Sequence, residues 1–393
     1  MQIGNSKHSK PIDRETGFVI LDTFKRFNQK DDIFCRSNWD ATVRSKNSEE
    51  FYKGYDMPFA RARRVDGFSQ KDYALRNAAW HISNVIRDLK RQSQDRKEGF
   101  LDAFTTHVEG WPEPYTFVTK EAATKEIKKA AKFFGADVVG ICEYDERWVY
   151  TARYSEKTQS EKPIDIPADL PYIILIGLEM DEDLTATAPS ALSGSATGFG
   201  YTRDTVTLMS LAQYICNLGY RAYATMNDSA LAIPLAVQAG LGEVGRHSML
   251  IAPEFGPRLR LGKIFTDIPL VPDKPKRFGI QEFCDVCQKC AKACPAKAIT
   301  FADKSNKVYS RSNIQGVSKW TTHAEKCFNF WVSQNSDCSI CIRVCPYNKD
   351  FCKWYFRLWR RLAATPLRRL MLWVNDLLKF GRRKKASWWW EKG

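Results

Sequence analysis

The sequence predicts an α/β fold with a small cysteine-rich module on its carboxyl-terminal side. Between Thr119 and Thr266, short apolar runs alternate with stretches whose apolar residues recur at helical spacing, which is typical of a layered α/β domain. Eight of the 12 cysteines lie between Cys284 and Cys345, in two closely spaced runs. The chain of 393 residues is long enough for two domains and a sizeable core.

The polar first third of the chain contains one clear helical pattern and no nucleotide-binding motif. Apolar residues recur at helical spacing over 71–92, which predicts a helix that packs over a core. These residues are Leu75, Ala79, Ile82, Val85 and Leu89.

The alternating region begins with a predicted helix that Thr119 caps and Gly135 stops. Apolar runs then predict the strands. The residues expected on the buried face of the helix are Ile127, Ala130, Ala131 and Phe134, and the predicted strands are 136–142, 172–178, 220–226 and 263–266. Ligands are expected in the loops at the strand ends.

A loop of small residues is predicted over 190–200, immediately before Tyr201. The helix that follows is expected to begin near Asp204 and to close at Gly219. Another helix is predicted over 229–239, before a turn that contains Gly240 and Gly242. The side chains expected to be buried on the first of these helices are Leu208, Leu211, Ala212 and Ile215.

The two cysteine runs predict two [4Fe-4S] clusters. The run from Cys284 to Pro295 has the spacing C-x2-C-x2-C-x3-C-P, and a looser second run ends in Cys345-Pro346. In such pairs the cysteine before proline ligates the other cluster, so the predicted sets are crossed. Site A is Cys284, Cys287, Cys290 and Cys345, and site B is Cys294, Cys327, Cys338 and Cys341. Structural zinc sites also use C-x2-C pairs and are the competing interpretation, but two Cys-Pro endings favour iron.

The net charge of +15 is concentrated at the carboxyl end. Residues 349–393 contain 13 Lys and Arg against 3 acidic residues, a balance of +10, mixed with aromatic side chains. Such helices can lie at a membrane surface, or their aromatic rings can wrap the cluster module. No nucleic-acid recognition motif accompanies the charge, and no apolar run approaches the roughly 20 residues that span a bilayer.

Five short segments carry a family resemblance. They are Gly-Phe-Gly-Tyr-Thr-Arg at 198–203, Ala-Gly-Leu-Gly-Glu at 239–243, Ile-Ala-Pro-Glu-Phe-Gly-Pro-Arg-Leu-Arg-Leu at 251–261, Phe-Thr-Asp-Ile-Pro-Leu at 265–270 and Asp-Lys-Pro at 273–275. With both cysteine runs, they resemble the corrinoid-dependent reductive dehalogenases, the catalytic subunits of organohalide respiration.

The resemblance implies an α/β corrinoid-binding, nitroreductase-like core with an appended ferredoxin-like module for two [4Fe-4S] clusters. It also suggests a division of the chain. Residues 1–118 would cover the substrate pocket, 119–275 would form the cobalamin-binding catalytic core, 276–350 the cluster module, and 351–393 the basic aromatic tail.

The resemblance further assigns roles to individual residues. Tyr201 matches the proton donor, Arg260 the cation beside it and Asn227 a polar pocket residue. A phenol, whose pKa is ordinarily near 10, gives up its proton more readily beside a guanidinium that stabilises the phenolate. Thr197 and Trp331 match pocket positions. The small residues at 193–200, together with Gly240 and Gly242, would let the backbone approach a flat macrocycle.

The implied cofactors are a cobalamin-type corrinoid, bound base-off, and the two clusters. None of the five histidines lies in an Asp-x-His-x-x-Gly context that would offer cobalt a lower ligand. A small organohalide is the implied substrate, with a chlorinated ethene or alkane favoured over an arene.

The resemblance also implies export by the twin-arginine route, and docking on a small membrane anchor protein at the outer face of the cytoplasmic membrane. Electrons would come from the respiratory chain, and a homodimer is possible. The first residues, Met-Gln-Ile-Gly, contain neither an apolar signal region nor twin arginines. The expectation is therefore a removed leader or a cytoplasmic protein.

Two alternatives remain. Epoxyqueuosine reductase, a cytoplasmic enzyme of tRNA modification, uses the same cofactors, and Arg203-Asp204 is similar to its catalytic stretch. Asp204 would then be the acid, although Thr205 and Val206 replace its Tyr-His pair. A ferredoxin-like electron carrier is disfavoured because about 280 residues precede the clusters.

Overall fold

A computed structural model describes residues 17–56, 62–94, 112–164 and 166–392. The strands are β1 Val19–Lys25, β2 Val138–Glu143, β3 Arg153–Ser155, β4 Ser160–Lys162, β5 Tyr172–Glu179, β6 Ala222–Thr225, β7 Glu243–Val244, β8 Leu250–Ile251, β9 Leu259–Thr266 and β10 Gln315–Ser318. The helices are α1 Ile33–Trp39, α2 Lys46–Asp56, α3 Gln70–Gln94, α4 Lys120–Phe133, α5 Glu182–Ala186, α6 Ala191–Asn217, α7 Ala232–Gln238, α8 Ile280–Val286, α9 Lys289–Ala293, α10 Ala324–Gln334, α11 Ile340–Arg343, α12 Trp354–Ala363, α13 Arg368–Leu377 and α14 Ala386–Glu391.

The core is a four-stranded sheet in the order β2-β5-β9-β6, with helices on both faces. Along β5, Ile174 and Ile176 pack against α4 and α6, whereas Ile173 and Leu175 point to the opposite face, where α7 packs. The predicted layered α/β architecture is confirmed. All three strand pairings are antiparallel, a feature that the order of elements along the chain does not reveal.

The alternating region agrees with the sequence pattern at most elements. Thr119 caps α4, since its hydroxyl accepts a hydrogen bond of 3.1 Å from the Ala122 N–H. Ile127 and Ala131 are buried as expected. The strand predicted over 263–266 is longer and begins at Leu259, so that Arg260 lies within the sheet.

The loop predicted over 190–200 is wrong, because these residues form the first turns of α6. Ser190 caps the helix by accepting a hydrogen bond of 2.9 Å from the Ser193 N–H. The small residues that resemble a loop in sequence lie where neighbouring side chains press against the helix. Tertiary packing here overrides the low helix propensity of glycine and serine.

The helix predicted over 71–92 exists as α3, but the expected buried face is wrong. Ile82, Val85 and Leu89 are exposed, whereas Asp72, Tyr73, Arg76 and Ser83 on another face are buried. The polar face is turned inward because it packs along α6 and contributes to a polar cavity wall.

The cluster module joins both ends of the described chain. β1 pairs antiparallel with β10, with Val19 opposite Ser318 and an irregularity between Ile20 and Lys25. Trp359 and Met371 of the tail pack around the site A cysteines, which confirms the expectation that tail aromatics wrap the module. The predicted domain boundaries stay predictions. In the described part of the chain, no helix combines the length and apolarity needed to cross a bilayer.

Candidate active site and cluster sites

A cavity of about 880 Å³ lies between the sheet, α3, α6 and the cluster module. Part of the cavity lining consists of core residues with aliphatic or indole side chains, which include Trp148, Leu231 and Val317. Another part of the lining is an aromatic cluster that includes Phe34, Tyr55 and Trp331. The cavity therefore offers aliphatic and aromatic surface beside its polar residues.

Tyr201, Arg260 and Asn227 meet on the wall of this cavity. Tyr201 projects from α6, Arg260 comes from β9, and Asn227 follows β6. The Arg260 guanidinium and the Asn227 amide both donate hydrogen bonds to the Tyr201 hydroxyl oxygen. Two donors on one phenol oxygen stabilise it in its deprotonated form.

Trp80 of α3 covers the ring of Tyr201, with 4.7 Å between ring centroids. Sequence analysis missed this residue, because its helix was expected to bury a different face. The Trp80 indole N–H and the Arg260 Nε are buried without a hydrogen-bond partner among the described residues. Both belong to residues on the cavity wall, and such unpaired donors are suited to a polar group of a bound ligand.

A buried polar network supports Trp80 from behind. Tyr55 donates a hydrogen bond of 2.7 Å to Asp337, and Arg76 lies 3.7 Å from the other oxygen of this carboxylate. The Arg76 guanidinium also stacks on the Tyr55 ring, 3.9 Å from the ring centre. Burial raises the pKa of Tyr55 well above its usual value, so this hydroxyl stays protonated and donates. The sequence carried no signal for this network, because its members are far apart along the chain.

Asp204, the rival acid, is not on the cavity wall. It is buried one turn after Tyr201, and neither of its carboxylate oxygens has a hydrogen-bond partner among the described residues. Burial raises the pKa of Asp204 to about 7, although the nearby Arg260 and Lys263 lower it. The carboxyl group therefore lies behind the site and away from a ligand.

The four expected cofactor-binding residues separate into two pairs. Thr197 and Trp331 line the cavity. Gly240 and Gly242 do not, and a Cβ at these positions would lie under 3.0 Å from the carbonyl oxygens of Lys274 and Ile251. These two glycines thus allow close packing between backbone segments, and their expected approach to a macrocycle stays a prediction.

Glycines of α6 likewise make room for protein side chains. A Cβ at Gly198 would lie under 3.0 Å from the Trp80 indole, and one at Gly200 equally close to the Arg260 side chain. A Cβ at Gly194 would lie 2.8 Å from a carboxylate oxygen of Asp337. The small residues of α6 therefore form a groove that accommodates the side chains of Trp80, Arg260 and Asp337 around Tyr201.

The four site A cysteines line one small enclosed space. The lining also includes Phe283 and Tyr347, which shield the space from water. Burial, with the neighbouring Cys287 thiol, raises the pKa of Cys290 to about 12. Thiols in such a place become thiolates when bound iron compensates their charge.

The site B cysteines are also neighbours. Burial raises the pKa of Cys327 to about 12, and the nearby Cys338 and Cys294 thiols add to the rise. The Cys338, Cys327 and Cys294 thiols also lie near Cys341, as does Cys290 of site A. The crossed ligand sets stay a prediction. Site B lies close to the cavity, because Asp337 is on the cavity wall and is covalently joined to Cys338.

Two family profiles match the chain. Residues 150–270 match a family described as reductive dehalogenase subunit. Residues 283–348 match a family described as 4Fe-4S double cluster binding domain, which supports iron over zinc at sites A and B.

Curated relatives carry dehalogenase names. A tetrachloroethene reductive dehalogenase of Desulfitobacterium hafniense is 37% identical over 277 residues, which are 60% of this chain and 50% of that protein. The chain thus spans about half the length of this relative. A tetrachloroethene reductive dehalogenase of Sulfurospirillum multivorans is 29% identical over 99% of this chain and 83% of its own length. Epoxyqueuosine reductase of a Synechocystis strain is 36% identical over only 30% of this chain.

A solved reductive dehalogenase structure, described in terms of B12-dependent dehalogenation, has the same fold. The TM-score is 0.74 at 23% identity, over 95% of this chain and 49% of the other. The chain is thus similar to reductive dehalogenase subunits over residues 150–270 and to double 4Fe-4S cluster binding domains over residues 283–348.

Proposed function

We propose that this chain is the catalytic subunit of a corrinoid-dependent reductive dehalogenase, an oxidoreductase that replaces halogen by hydrogen in an organohalide. The observation that carries the proposal is the Tyr201 hydroxyl, which accepts hydrogen bonds from Arg260 and Asn227 on the wall of a large cavity beside cluster site B. The overall reaction consumes two electrons and one proton and releases halide. Tyr201 supplies the proton to carbon.

The chain's own residues prepare this proton transfer. Trp80 fixes the ring of Tyr201 from one side, and Arg260 stacks 4.0 Å from the ring centre. Arg260 remains charged throughout the reaction and stabilises the phenolate that Tyr201 becomes. Water then returns the proton before the next turnover.

The lining of the cavity suits a corrinoid ring in its chemistry. Its volume of about 880 Å³ lies at the upper end for ligand sites, and its aliphatic wall suits the edge of a macrocycle. Trp148, Leu231 and Val317 would hold the ring there. No histidine lines the cavity within the described ranges, and the base-off binding that we propose is supported by the family resemblance. When bound, the corrinoid supplies the low-potential cobalt at which the carbon–halogen bond is reduced.

Electrons would pass from site A through site B to the cavity. Cys290 of site A shares an apolar cluster with Cys294 and Cys341 of site B, so the two sites are adjacent. Asp337 places site B next to the cavity. Site A, on the far side, would be the entry point.

The substrate would be a small chlorinated ethene or alkane. Phe34, Tyr55 and Trp331 form an aromatic wall suited to a compact apolar molecule. The curated relatives are named for tetrachloroethene, which favours the same class.

The epoxyqueuosine alternative is less well supported. Its match covers 30% of this chain, and the residue that would act as its acid, Asp204, has no access to the cavity.

For location, we propose the outer face of the cytoplasmic membrane, reached by twin-arginine export and maintained by a small anchor protein. A respiratory-chain donor would supply the electrons, and the catalytic subunit could form a homodimer. The family resemblance is the support for these assignments.

The test of the proposal is Tyr201→Phe in anaerobically reconstituted protein. The variant keeps the ring and its packing but removes the transferable hydrogen, so iron and corrinoid content should match the wild type. Turnover of tetrachloroethene with reduced viologen should fall by about two to four orders of magnitude. The control is Tyr220→Phe, because the Tyr220 hydroxyl bonds to the Tyr115 carbonyl and does not line the cavity. Wild-type turnover by Tyr201→Phe would reject the assignment.

A further inference from the structure

Helices α12 and α13 form a cover over cluster site A. The Trp359 indole of α12 donates a hydrogen bond of 3.1 Å to the Met371 carbonyl of α13, which joins the two helices. Trp359, Ala363 and Met371 pack in one cluster with Cys284, Cys287 and Cys345. The inner face of this helix pair is thus fully used in packing around site A.

The outer face of the same helices is also apolar. Trp354 is 68% exposed, Trp373 is 58% exposed and Leu377 is 60% exposed. On α13, Leu370, Trp373 and Leu377 recur at a spacing of three and four residues, so they form one stripe. The full set, here called the outer stripe, is Trp354, Tyr355, Leu358, Leu367, Leu370, Trp373, Leu377 and Leu378.

Basic side chains accompany the outer stripe. Arg357, Arg361, Arg369 and Lys379 are exposed, and none of them forms an ion pair with another described residue. Other tail cations behave differently, because Lys384 and Lys392 pair with Asp183. The four cations are therefore available to a negatively charged surface.

We propose that the outer stripe binds the surface of an anionic lipid bilayer, with α12 and α13 lying in the plane of the membrane. Leucines and indoles enter the boundary between headgroups and acyl chains, as in interfacial helices, while Arg and Lys contact anionic headgroups. A soluble acidic partner would pair with the cations, but it would leave the eight large apolar side chains of the outer stripe exposed to water.

This contact gives the tail a role in electron supply. Site A lies directly beneath the inner face of α12 and α13, so membrane binding places it close to the bilayer. A lipid-soluble or membrane-bound donor would then lie close to the entry cluster. That consequence depends on the proposed function, whereas binding to lipid does not.

The experiment measures cosedimentation of the full chain, with its clusters, with phosphatidylglycerol-containing and pure phosphatidylcholine vesicles. The apolar variant Leu370→Gln/Trp373→Gln/Leu377→Gln should lower the partition coefficient at least about tenfold, because each side chain contributes burial energy. The charge variant Arg357→Gln/Arg361→Gln/Arg369→Gln should also lose about tenfold on anionic vesicles at low salt, and little at high salt. The matched control is Val118→Gln/Phe133→Gln, at residues that are 94% and 83% exposed elsewhere, and it should bind like the wild type.

Three results would overturn the proposal. One is wild-type binding no stronger than that of the apolar variant, and another is an equal loss in the control. The third is a wild-type dimer that the apolar variant converts to monomer without a change in lipid binding, because the stripe would then contact a second copy. Iron content and viologen-driven dechlorination should be unchanged in all variants. A dehalogenation failure in wild-type protein would therefore count against the proposed function and not against this contact.

Discussion

The Tyr201 hydroxyl is the point at which three separate parts of the chain converge. Arg260 of β9 and Asn227 after β6 donate to it, and Trp80 of α3 covers its ring. Under the proposed function, the helix would supply the acid, and the sheet would supply the charge that stabilises its conjugate base. An arrangement of this kind acts mainly in the chemical step, because the charge develops only when the proton leaves.

Arg260→Lys should lower turnover less than Tyr201→Phe does. A lysine keeps the positive charge but loses the planar guanidinium that both bonds the hydroxyl and stacks on the ring. We expect a decrease of about tenfold to a hundredfold in kcat, with little change in KM. Steady-state assays would be run beside Arg203→Lys, since Arg203 bonds to the Glu179 and Gly135 carbonyls outside the cavity. An equal loss in both variants would contradict a special role for Arg260.

Asp204→Asn should separate stability from catalysis. Because burial raises the folded-state pKa of Asp204 to about 7, the folded protein binds an additional proton between about pH 4 and pH 7. The free energy of unfolding therefore falls as pH rises through that window, by about 4 kcal/mol at most. The variant lacks this contribution and should gain stability relative to wild type at about pH 8 and not at about pH 4.

Anaerobic urea titrations at the two pH values would measure the difference. Dechlorination by Asp204→Asn should stay within about tenfold of wild type, because this residue does not line the cavity. Loss of dechlorination in this variant together with normal activity of Tyr201→Phe would reverse the assignment of the acid.

Among the elements, α6 determines the geometry of the site. Its glycines give space to Trp80, Arg260 and Asp337, while Thr197 and Tyr201, one turn apart on the same helix, line the cavity. A helix rich in glycine is intrinsically weak, so this one persists through its contacts with α3 and the sheet.

Gly198→Ala should therefore displace Trp80. The added Cβ would lie under 3.0 Å from the indole ring, so α3 or Trp80 must move away from Tyr201. We expect a loss of about 1–3 kcal/mol in stability from overpacking and a decrease in turnover of tenfold or more. The control is Gly54→Ala in α2, where a Cβ meets nothing within 4 Å and alanine should stabilise the helix slightly. Thermal unfolding and initial rates would be measured for both variants. Equal stability and equal turnover in Gly198→Ala and Gly54→Ala would contradict the inference that Gly198 makes room for Trp80.

The elements also explain which features the sequence could predict. Strong periodicity predicted α4 and the central strands, whereas the ligand sets that follow from cysteine spacing stay a prediction. The pattern failed at 190–200, where small residues resemble a loop until the partners on α3 are known, and at α3, where the exposed face is the apolar one. The sequence pattern did not reveal the roles of Trp80 and Arg76, because these side chains pack against Gly198 and Gly194, more than a hundred positions away along the chain.

At the scale of the whole molecule, the two cluster sites are interlocked along the chain. Cys294 follows the site A run but lies with Cys327, Cys338 and Cys341. Cys345 follows the second run but lines the site A space. If the predicted ligand sets are correct, each cluster would tie together both ends of the module.

Cys294→Ser should damage site B and leave site A. The substitution removes a ligand from Cys327, Cys338 and Cys341, despite the sequence distance, so one cluster should be lost or converted to a three-iron form. Iron analysis and low-temperature EPR of the reduced protein would identify the surviving cluster. Cys352→Ser is the control, since Cys352 is exposed and belongs to neither site. Selective loss of the site A cluster would show that the ligands are not crossed.

The pairing of β1 with β10 has a consequence for the order of assembly. These strands meet about 300 positions apart along the chain, and closing so long a loop is entropically costly and slow. Phe18, next to β1, is part of the cavity wall, so that wall is incomplete until β10 has paired with β1. The stability of this one short strand pair therefore decides how long the wall stays closed at Phe18, because local unfolding of β1 would open it.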